Sequence, residues 1–253
     1  MKFRIIEIEG HNILEVEVKE DRELLQKAEN YARRKSAHIA IADPSGRARD
    51  SQEILNQNFL GSLADIVCAE VLMKYFSKHN LPIQVIQYDA IRIDRFLQPA
   101  LFDIKLVSDS HNEYIVEIRS SACIYISLKR MVKEWQVLGP YSSSSKGNFE
   151  EDKSFYMRPL YHLDNYQENI KNKLYSKESG MEYVKSGKLK LYIVGGATDE
   201  MMRLRGRNEA GEELKQGRAE FKVVNILDAL DVIDFLGSVT EIVSNNAEIY
   251  ENI

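Results

Sequence analysis

The chain has 253 residues, of which 44% are hydrophobic and 29% charged, and its formal net charge is −5. This composition fits one large globular domain, or one domain with a small N-terminal addition, and excludes a disordered chain. The acidic balance argues against a protein that coats nucleic acid nonspecifically, although it allows a local basic surface. The longest apolar runs are too short to cross a bilayer and the N-terminus lacks the apolar segment of a signal peptide, so we expect a cytoplasmic protein.

Cysteine and histidine do not predict a zinc site. Cys68 and Cys123 are the two cysteines, and each lies in an apolar pattern. Zinc needs about four ligands at close spacing, whereas the five histidines are scattered along the chain. We therefore expect two buried thiols rather than a disulfide or a metal site.

The N-terminal part of the chain is predicted to form a β-hairpin followed by a helix. Residues 2–19 alternate apolar and polar side chains around a polar turn at Glu9 to Asn12, which is typical of a hairpin. Residues 21–36 favour a helix with one apolar side, and residues 43–52 are predicted to be a loop. The apolar side of the helix consists of Leu24, Leu25, Ala28 and Ala32.

The middle of the chain contains the clearest helix and three strands. Residues 55–78 repeat apolar side chains at helical spacing, from Leu60 to Phe76. Strands are predicted at 83–95, 102–107 and 113–121, with short links between them. A second helix is predicted at 126–139.

Further strands follow in the last third of the chain. Residues 154–162 contain Pro159 and are predicted to form an outer strand, because proline is tolerated at a sheet edge. Residues 188–199 are predicted to be a buried strand that ends at a glycine pair. The order of helix, three strands, helix and further strands predicts an α/β fold, in which a mixed sheet carries helices on its faces. The remaining segments are predicted loops at 140–153 and 203–218, a strand at 221–227 and a short helix at 228–238.

Two carboxylates are predicted to converge on one side of this sheet. Alternate residues of a strand share a face, so Asp103 points the same way as Lys105, and Glu117 the same way as Arg119. If the two strands are neighbours, Asp103 and Glu117 form a hard-oxygen site suited to Mg²⁺. Bound Mg²⁺ can polarise a phosphate and lower the pKa of an attacking water. The alternative is that these are ordinary charged positions on a half-exposed antiparallel hairpin.

The order of these residues resembles the core of the PD-(D/E)XK nucleases, a restriction-endonuclease-like class. Asp103 is followed by thirteen residues and then by Glu117-Ile118-Arg119, which is similar to the Asp and Glu-x-Lys elements of that class. The segment from Asn58 to Asp65 looks like the class's first helix, which contributes an acid. Asp65 is that acid by resemblance, and Glu70 is the alternative.

The resemblance spans roughly residues 55–235 and implies a magnesium-dependent DNA endonuclease. It implies a nuclease core in residues 51–253, joined to an N-terminal hairpin and helix in residues 1–50 as one compact unit. By the same resemblance the enzyme is expected to be restriction-like and to cut duplex DNA as a homodimer. The sequence leaves open whether a methyltransferase partner exists. The implied roles are Mg²⁺ ligation by Asp103, Glu117 and the carbonyl of Ile118, and orientation of metal-bound water by Asp65.

Arg119 departs from the pattern of the class, which has lysine there. Arginine stays protonated and cannot act as a base, although it can stabilise charge on a phosphate. Lys105 on the neighbouring strand, or Lys129 in the next helix, could supply the missing ammonium. Two other hypotheses remain: an inactive relative that only binds DNA, and an interaction protein with an unrelated α/β fold.

Two arginine-rich segments are candidates for contacts with DNA, because arginine on loops can reach phosphates and guanine edges. The alternative for each is ordinary solvated surface charge. The first group consists of Arg33, Arg34, Lys35, Arg47 and Arg49. The second group consists of Arg203, Arg205, Arg207 and Arg218.

Overall fold

Two β-sheets and the helices around them make up the protein. The structure is a computed structural model that describes residues 1–39, 41, 48–143, 148–172, 179–210 and 220–245. Eight strands form a central mixed sheet and four strands form a smaller antiparallel sheet. The predicted α/β class, with a mixed central sheet flanked by helices, is confirmed.

The N-terminal hairpin belongs to the central sheet. Strands β1 (Lys2–Ile8) and β2 (His11–Glu17) pair antiparallel. They are joined by a two-residue turn in which Glu9 has φ 54° and Gly10 has φ 77°, the left-handed conformation that such turns require. Helix α1 (Arg22–Ser36) follows, and its buried residues are those predicted from the sequence.

Helix α2 (Ser51–Lys78) begins earlier than predicted. The side chain of Asp50 accepts a hydrogen bond from the backbone N of Glu53 and so caps the first turn. The predicted loop at 43–52 therefore gives way to helix at Ser51, while residues 42–47 lie outside the described part of the chain.

Three antiparallel strands follow α2 and include the predicted neighbouring pair. They are β3 (Gln84–Gln87), β4 (Ile104–Val107) and β5 (Glu113–Ile118). Their inward residues share one hydrophobic core with α2, which confirms the predicted packing of this helix on the strand pair.

The predicted strand at 83–95 is wrong beyond Gln87. The chain forms a short helix, α3 (Tyr88–Ile91), and then a loop. The guanidinium of Arg92 lies 3.2 Å from the carboxylate of Asp89 and 2.7 Å from that of Asp94. Alternation of apolar residues predicted a strand here, but these ion pairs close the chain into a turn.

Strand β9 (Phe155–Leu163) lies inside the sheet, and all of its residues are buried. The prediction of an outer strand at 154–162 is therefore wrong. Strand β5 pairs with β9 as far as Met157, and β6 (Ser121–Cys123) pairs with it from Leu160 onward. Pro159 lies in the gap between β5 and β6, where no neighbouring strand requires a backbone N–H donor from this position.

The buried side chain of Arg158 fills this gap in the ladder. Arg158 is 3% exposed, and its Nη1 donates to the carbonyl of Arg119 and to the Oγ of Ser121. Its Nε donates to the carbonyl of Gln136 at 2.8 Å. Burial lowers the pKa of Arg158 to about 9. The guanidinium thus supplies donors that a neighbouring strand would otherwise provide.

Strand β10 (Leu189–Thr198) passes through the predicted glycine pair instead of ending there. The strand has a register shift between Ile193 and Gly196. Gly195 has φ 101°, and a Cβ there would lie 2.0 Å from the carbonyl oxygen of Leu230. The pair therefore permits a bulge and a close approach of another chain segment. The strand order of the central sheet is β1–β2–β10–β9–β5–β4–β3, with β6 also beside β9.

The smaller sheet arises from segments predicted as helix or loop. The helix predicted at 126–139 is α4 (Leu128–Glu134), which ends just before strand β7 (Gln136–Ser143) begins. Val137 and Leu138 pair with Val224 and Val223 of a strand far along the chain, a partner that local periodicity cannot reveal. Strands also occupy parts of the loops predicted at 140–153 and 203–218. The four strands are β7 (Gln136–Ser143), β8 (Asn148–Phe149), β11 (Arg207–Ala210) and β12 (Glu220–Asn225).

The remaining helices complete the two faces of the central sheet. Core residues of α1, α2 and α8 (Val232–Asn245) pack on one face. Those of α4, α7 (Asp199–Arg205) and the smaller sheet pack on the other. Within the described residues, no helix is long and apolar enough to cross a membrane. Cys68 is buried as predicted, Cys123 is half-buried, and both are free thiols. The two other helices are α5 (Tyr166–Asn172) and α6 (Gly180–Lys185), and α8 covers the helix predicted at 228–238.

Candidate active site

Asp103 and Glu117 lie opposite each other at one end of the β4–β5 pair. The register pairs Ile104 with Val116, and one further step along both strands sets Asp103 against Glu117. Asp103 Oδ2 accepts a hydrogen bond from the backbone N of Ile118 at 2.8 Å. The Asp103 carbonyl accepts another from the backbone N of Tyr88 at 3.1 Å. Backbone contacts from β5 and from the first residue of α3 therefore hold Asp103 in place.

Asp65 approaches the same region from helix α2. Its carboxylate lies 3.6 Å from the Nζ of Lys35 and is largely buried. Glu70, the alternative acid of this helix, lies 3.9 Å from Lys74 on a more exposed part of the helix. Burial, and after it the charge of Asp103 and to a smaller extent that of Glu117, raise the pKa of Asp65, which places Asp65 beside those two acids.

Lys35 and Asp89 complete a charged cluster that the sequence did not predict. The Nζ of Lys35, at the end of α1, lies 2.6 Å from a carboxylate oxygen of Asp89. Asp89 also contacts Arg92 at 3.2 Å. One signal was present in the sequence: Lys35 follows Ala32 by three residues, so it continues the buried side of α1. Asp89 gave no such signal, because its segment resembled a strand.

Burial and mutual repulsion raise the pKa values of the central acids. Burial, then the charge of Asp103, raises the pKa of Asp65 well above its ordinary value. Burial also raises the pKa of Asp103, against the opposing hydrogen bond from Ile118 N. The pKa of Glu117 is raised to about 7, first by burial and next by Asp103. Burial therefore favours the protonated forms of these carboxyls, and the cations close to them do not fully compensate it.

Arg119 is held between two glutamates instead of pointing freely outward. Its Nη2 lies 3.1 Å from Glu117 and 2.5 Å from Glu150. The guanidinium also lies 5.4 Å from the ring centroid of Tyr141. Its position lets it orient Glu117 and offer a positive charge beside it.

Neither lysine predicted as a substitute for the missing ammonium lies with the central acids. The Nζ of Lys105 lies 2.7 Å from Glu113, near the opposite end of the strand pair, and 5.0 Å from the ring centroid of Phe102. Lys129 is 66% exposed and lies 2.5 Å from Glu9 of the hairpin turn. Both amines are therefore directed to other carboxylates.

The donor set around Asp103 suits Mg²⁺ by its chemistry. Within the described residues, no group of three or more Asp, Glu, His or Cys side chains is arranged as a ready metal site. Mg²⁺, however, is commonly held by one or two carboxylates and keeps several waters. The carboxylates of Asp103 and Glu117, set against each other at the end of the strand pair, meet that smaller requirement. Burial raises both pKa values, and the charge of Asp103 adds to the rise for Glu117; a bound cation would act against both causes.

Several residues of the predicted arginine-rich segments contact other groups of the protein. Arg33 lies 2.6 Å from Glu29, Arg203 lies 3.1 Å from Asp199 and Arg207 lies 2.5 Å from Glu209. Arg47 and Arg218 lie outside the described residues. Contacts of either segment with DNA remain predictions.

Comparison with known proteins identifies an archaeal relative and no family. No family model matches the chain. An uncharacterized protein of Methanocaldococcus jannaschii is 24% identical over 254 residues, which cover 92% of this chain and 89% of that protein. No solved structure matches the chain. The relative is thus similar over nearly its whole length, and its description carries no activity.

Proposed function

We propose that this protein is a magnesium-dependent DNA endonuclease of the restriction-endonuclease-like class. The observation that carries the proposal is the meeting of Asp103 and Glu117 at the end of a strand pair. Asp65 adds a third acid from the helix packed on those strands, and the pKa values of all three are raised. Strongly perturbed acids that converge in this way are typical of functional sites.

The roles proposed for the side chains follow from their surroundings. Asp103 and Glu117, with the carbonyl of Ile118 beside them, would hold Mg²⁺, which when bound polarises a phosphate and lowers the pKa of a water. Asp65 would accept hydrogen bonds from water at the other side of Asp103. Arg119 keeps Glu117 oriented through a contact of 3.1 Å and would offer charge to the phosphate, since it cannot accept a proton.

A DNA-binding protein without cleavage is the second candidate. It is favoured by the engagement of Arg119 with both Glu117 and Glu150. The positions of Lys105 and Lys129 favour it too, because both amines contact other acids. Under this proposal the acids of the site are remnants, and the basic segments carry the binding.

An assay of duplex DNA cleavage distinguishes a nuclease from a DNA-binding protein without cleavage. Purified protein is incubated with unmodified and methylated phage-type DNA, with Mg²⁺ or with a chelator. The first proposal expects fragments with Mg²⁺ alone, and their loss in Asp103→Asn. Binding at low salt without cleavage of any substrate favours the second candidate. No binding at low salt, where phosphate contacts are strongest, contradicts both.

We also propose that the active form is a homodimer. Cutting both strands of a symmetric site needs two active centres, and two-fold symmetry supplies them. Light scattering is expected to give twice the monomer mass, alone or with DNA. A monomer under both conditions contradicts this proposal without affecting the cleavage assay.

A further inference from the structure

Helix α1 ends beside the acids of the candidate site and places Lys35 among them. The side chain of Lys35 is 22% exposed, with its Nζ 2.6 Å from Asp89 and 3.6 Å from Asp65. Burial tends to lower its pKa, but Asp65 and Asp89 outweigh this and raise it. The amine is therefore a fixed positive charge at neutral pH.

Among the described residues, Lys35 is the lysine whose amine lies within 4 Å of Asp65, Asp103 or Glu117. Lys105 and Lys129 contact Glu113 and Glu9 instead. Arg119 is occupied by two glutamates. Lys153 is a more distant rival, since its charge lowers the pKa of Glu117. Geometry therefore favours Lys35 as the source of an ammonium at this site.

We propose that Lys35 is a catalytic residue of this site, whose ammonium contacts a non-bridging oxygen of the scissile phosphate beside Asp65. The proposal rests on the nuclease function proposed above. An ammonium has three N–H donors, so two carboxylates leave capacity for a phosphate oxygen. In this role Lys35 stabilises negative charge that develops on the phosphate, and it keeps its proton throughout.

Asp89 acts as the positioning residue for this ammonium. Its second oxygen lies 3.2 Å from Arg92, and Arg92 also donates to Asp94 and to the carbonyl of Gln98. Asp89 is thereby fixed by the loop that leads to Asp103. The contact with Asp89 fixes the position of the Lys35 amine before substrate binds. A charge that stabilises a transition state has to be fixed in this way.

Replacement of Lys35 by methionine is the direct test, because methionine keeps the unbranched chain and removes the charge. Lys27→Met, on the exposed side of the same helix, is the matched control. We expect Lys35→Met to lose about 100-fold or more in the single-turnover cleavage rate with Mg²⁺. Lys27→Met is expected to stay within about twofold of the wild type, and Asp89→Asn to lose about tenfold.

Chemical restoration of the amine distinguishes a catalytic role from a structural one. Lys35→Cys is made in a Cys123→Ser background, which leaves the buried Cys68 as the other thiol. Alkylation with 2-bromoethylamine creates a lysine-like ammonium, and iodoacetamide creates a neutral side chain of similar size. We expect recovery of cleavage with the first reagent and not with the second.

Each outcome decides the inference. Wild-type cleavage by Lys35→Met, or a loss confined to Lys153→Met, overturns the role of Lys35 while the nuclease function stands. A wild-type protein that cuts no DNA overturns the nuclease proposal, and this inference with it. If Lys35→Met does not fold, Lys35→Arg preserves the charge; we expect about a tenfold loss, because guanidinium is planar and wider than ammonium. Full activity of Lys35→Arg contradicts the need for an ammonium.

Discussion

Two groups of acidic side chains in this protein lie in opposite electrostatic situations. On β2 and β10, Glu15 contacts Arg4 and lies 3.4 Å from Lys190. Asp164 lies 2.9 Å from the same lysine and raises its pKa. Arg4 is 72% exposed whereas Glu15 is largely buried, so in this pair the cation lies toward water and the acid does not. Each acid there has a cation of its own or shares one.

The acids at the start of β4 are buried and outnumber the cations close to them. Asp65 shares Lys35 with Asp89, and Asp103 accepts its hydrogen bond from a backbone N–H instead of a charged side chain. Unneutralised buried charge destabilises a folded chain. Buried carboxyls of this kind are neutralised either by taking up a proton, which their raised pKa values favour, or by a bound cation such as the proposed Mg²⁺.

Substitutions in the two clusters are expected to differ most in their effect on the rate of DNA cleavage. Asp103→Asn keeps a hydrogen-bond acceptor for Ile118 N but loses the charge, so we expect cleavage to fall by about 1000-fold or more. Thermal unfolding is expected to show no loss of stability, because a repelled carboxylate is removed. Asp164→Asn is the matched variant in the paired cluster. It should leave cleavage unchanged and lower the free energy of unfolding by less than about 1 kcal/mol; equal effects of the two variants on cleavage contradict the distinction.

Replacement of Arg119 by lysine is expected to lower cleavage by about tenfold. Lysine loses the planar contact that joins Glu117 to Glu150 and the position near Tyr141. Glu150→Gln, which weakens the same contact from the other side, should give a smaller loss in the same assay. A gain of activity in Arg119→Lys would instead mean that the site has drifted from an ancestral lysine.

The pH dependence of the free energy of unfolding tests the difference between the buried acids and the exposed ones, and it needs no substrate. The pKa of Glu117 is raised from an ordinary 4.5 to about 7, so its ionisation costs stability as the pH rises through that interval. Glu117→Gln removes this cost. Denaturant unfolding should show the variant about 1 to 2 kcal/mol more stable than the wild type at pH 8, and nearly equal at pH 5. Glu113→Gln, on the same strand but exposed, should change stability by less than about 0.5 kcal/mol at both.

Lys105→Ala is expected to have the smallest effect. Its amine contacts Glu113 on the half-exposed side of the strand pair, so cleavage should stay within about twofold of the wild type. A loss as large as that of Lys35→Met would restore the hypothesis that the ammonium comes from the neighbouring strand.

Local patterns were sufficient for the elements that surround the site. The apolar repeat of α2 and the alternation of β4 and β5 each arise from residues within one segment. The facing of Asp103 and Glu117 then followed from strand alternation and a short connection. Predictions of this kind succeed where the partner of a segment is its neighbour in sequence.

Errors arose where a distant partner or a single side chain overrides local preference. Val137 and Leu138 form a strand because β12 pairs with them. Pro159 lies within the sheet because Arg158 and a gap between two strands accommodate it. Lys35 was named only as a possible contact for DNA and Asp89 was not a motif residue, and packing alone brings the two side chains to the region of Asp65.

The pairing of β2 with β10 bears on how the protein folds during synthesis. In this pairing Val16 lies opposite Leu191. The β1–β2 hairpin is synthesised long before β10, so this pairing cannot form until most of the chain has been made. Pairing between such distant segments is slow, because the intervening chain has to be ordered before the contact forms. Until β10 pairs with it, one edge of β2 has no strand partner, and the sheet on which α1 packs is incomplete. We expect a refolding intermediate in which β3, β4 and β5 are protected from amide exchange before β2 is.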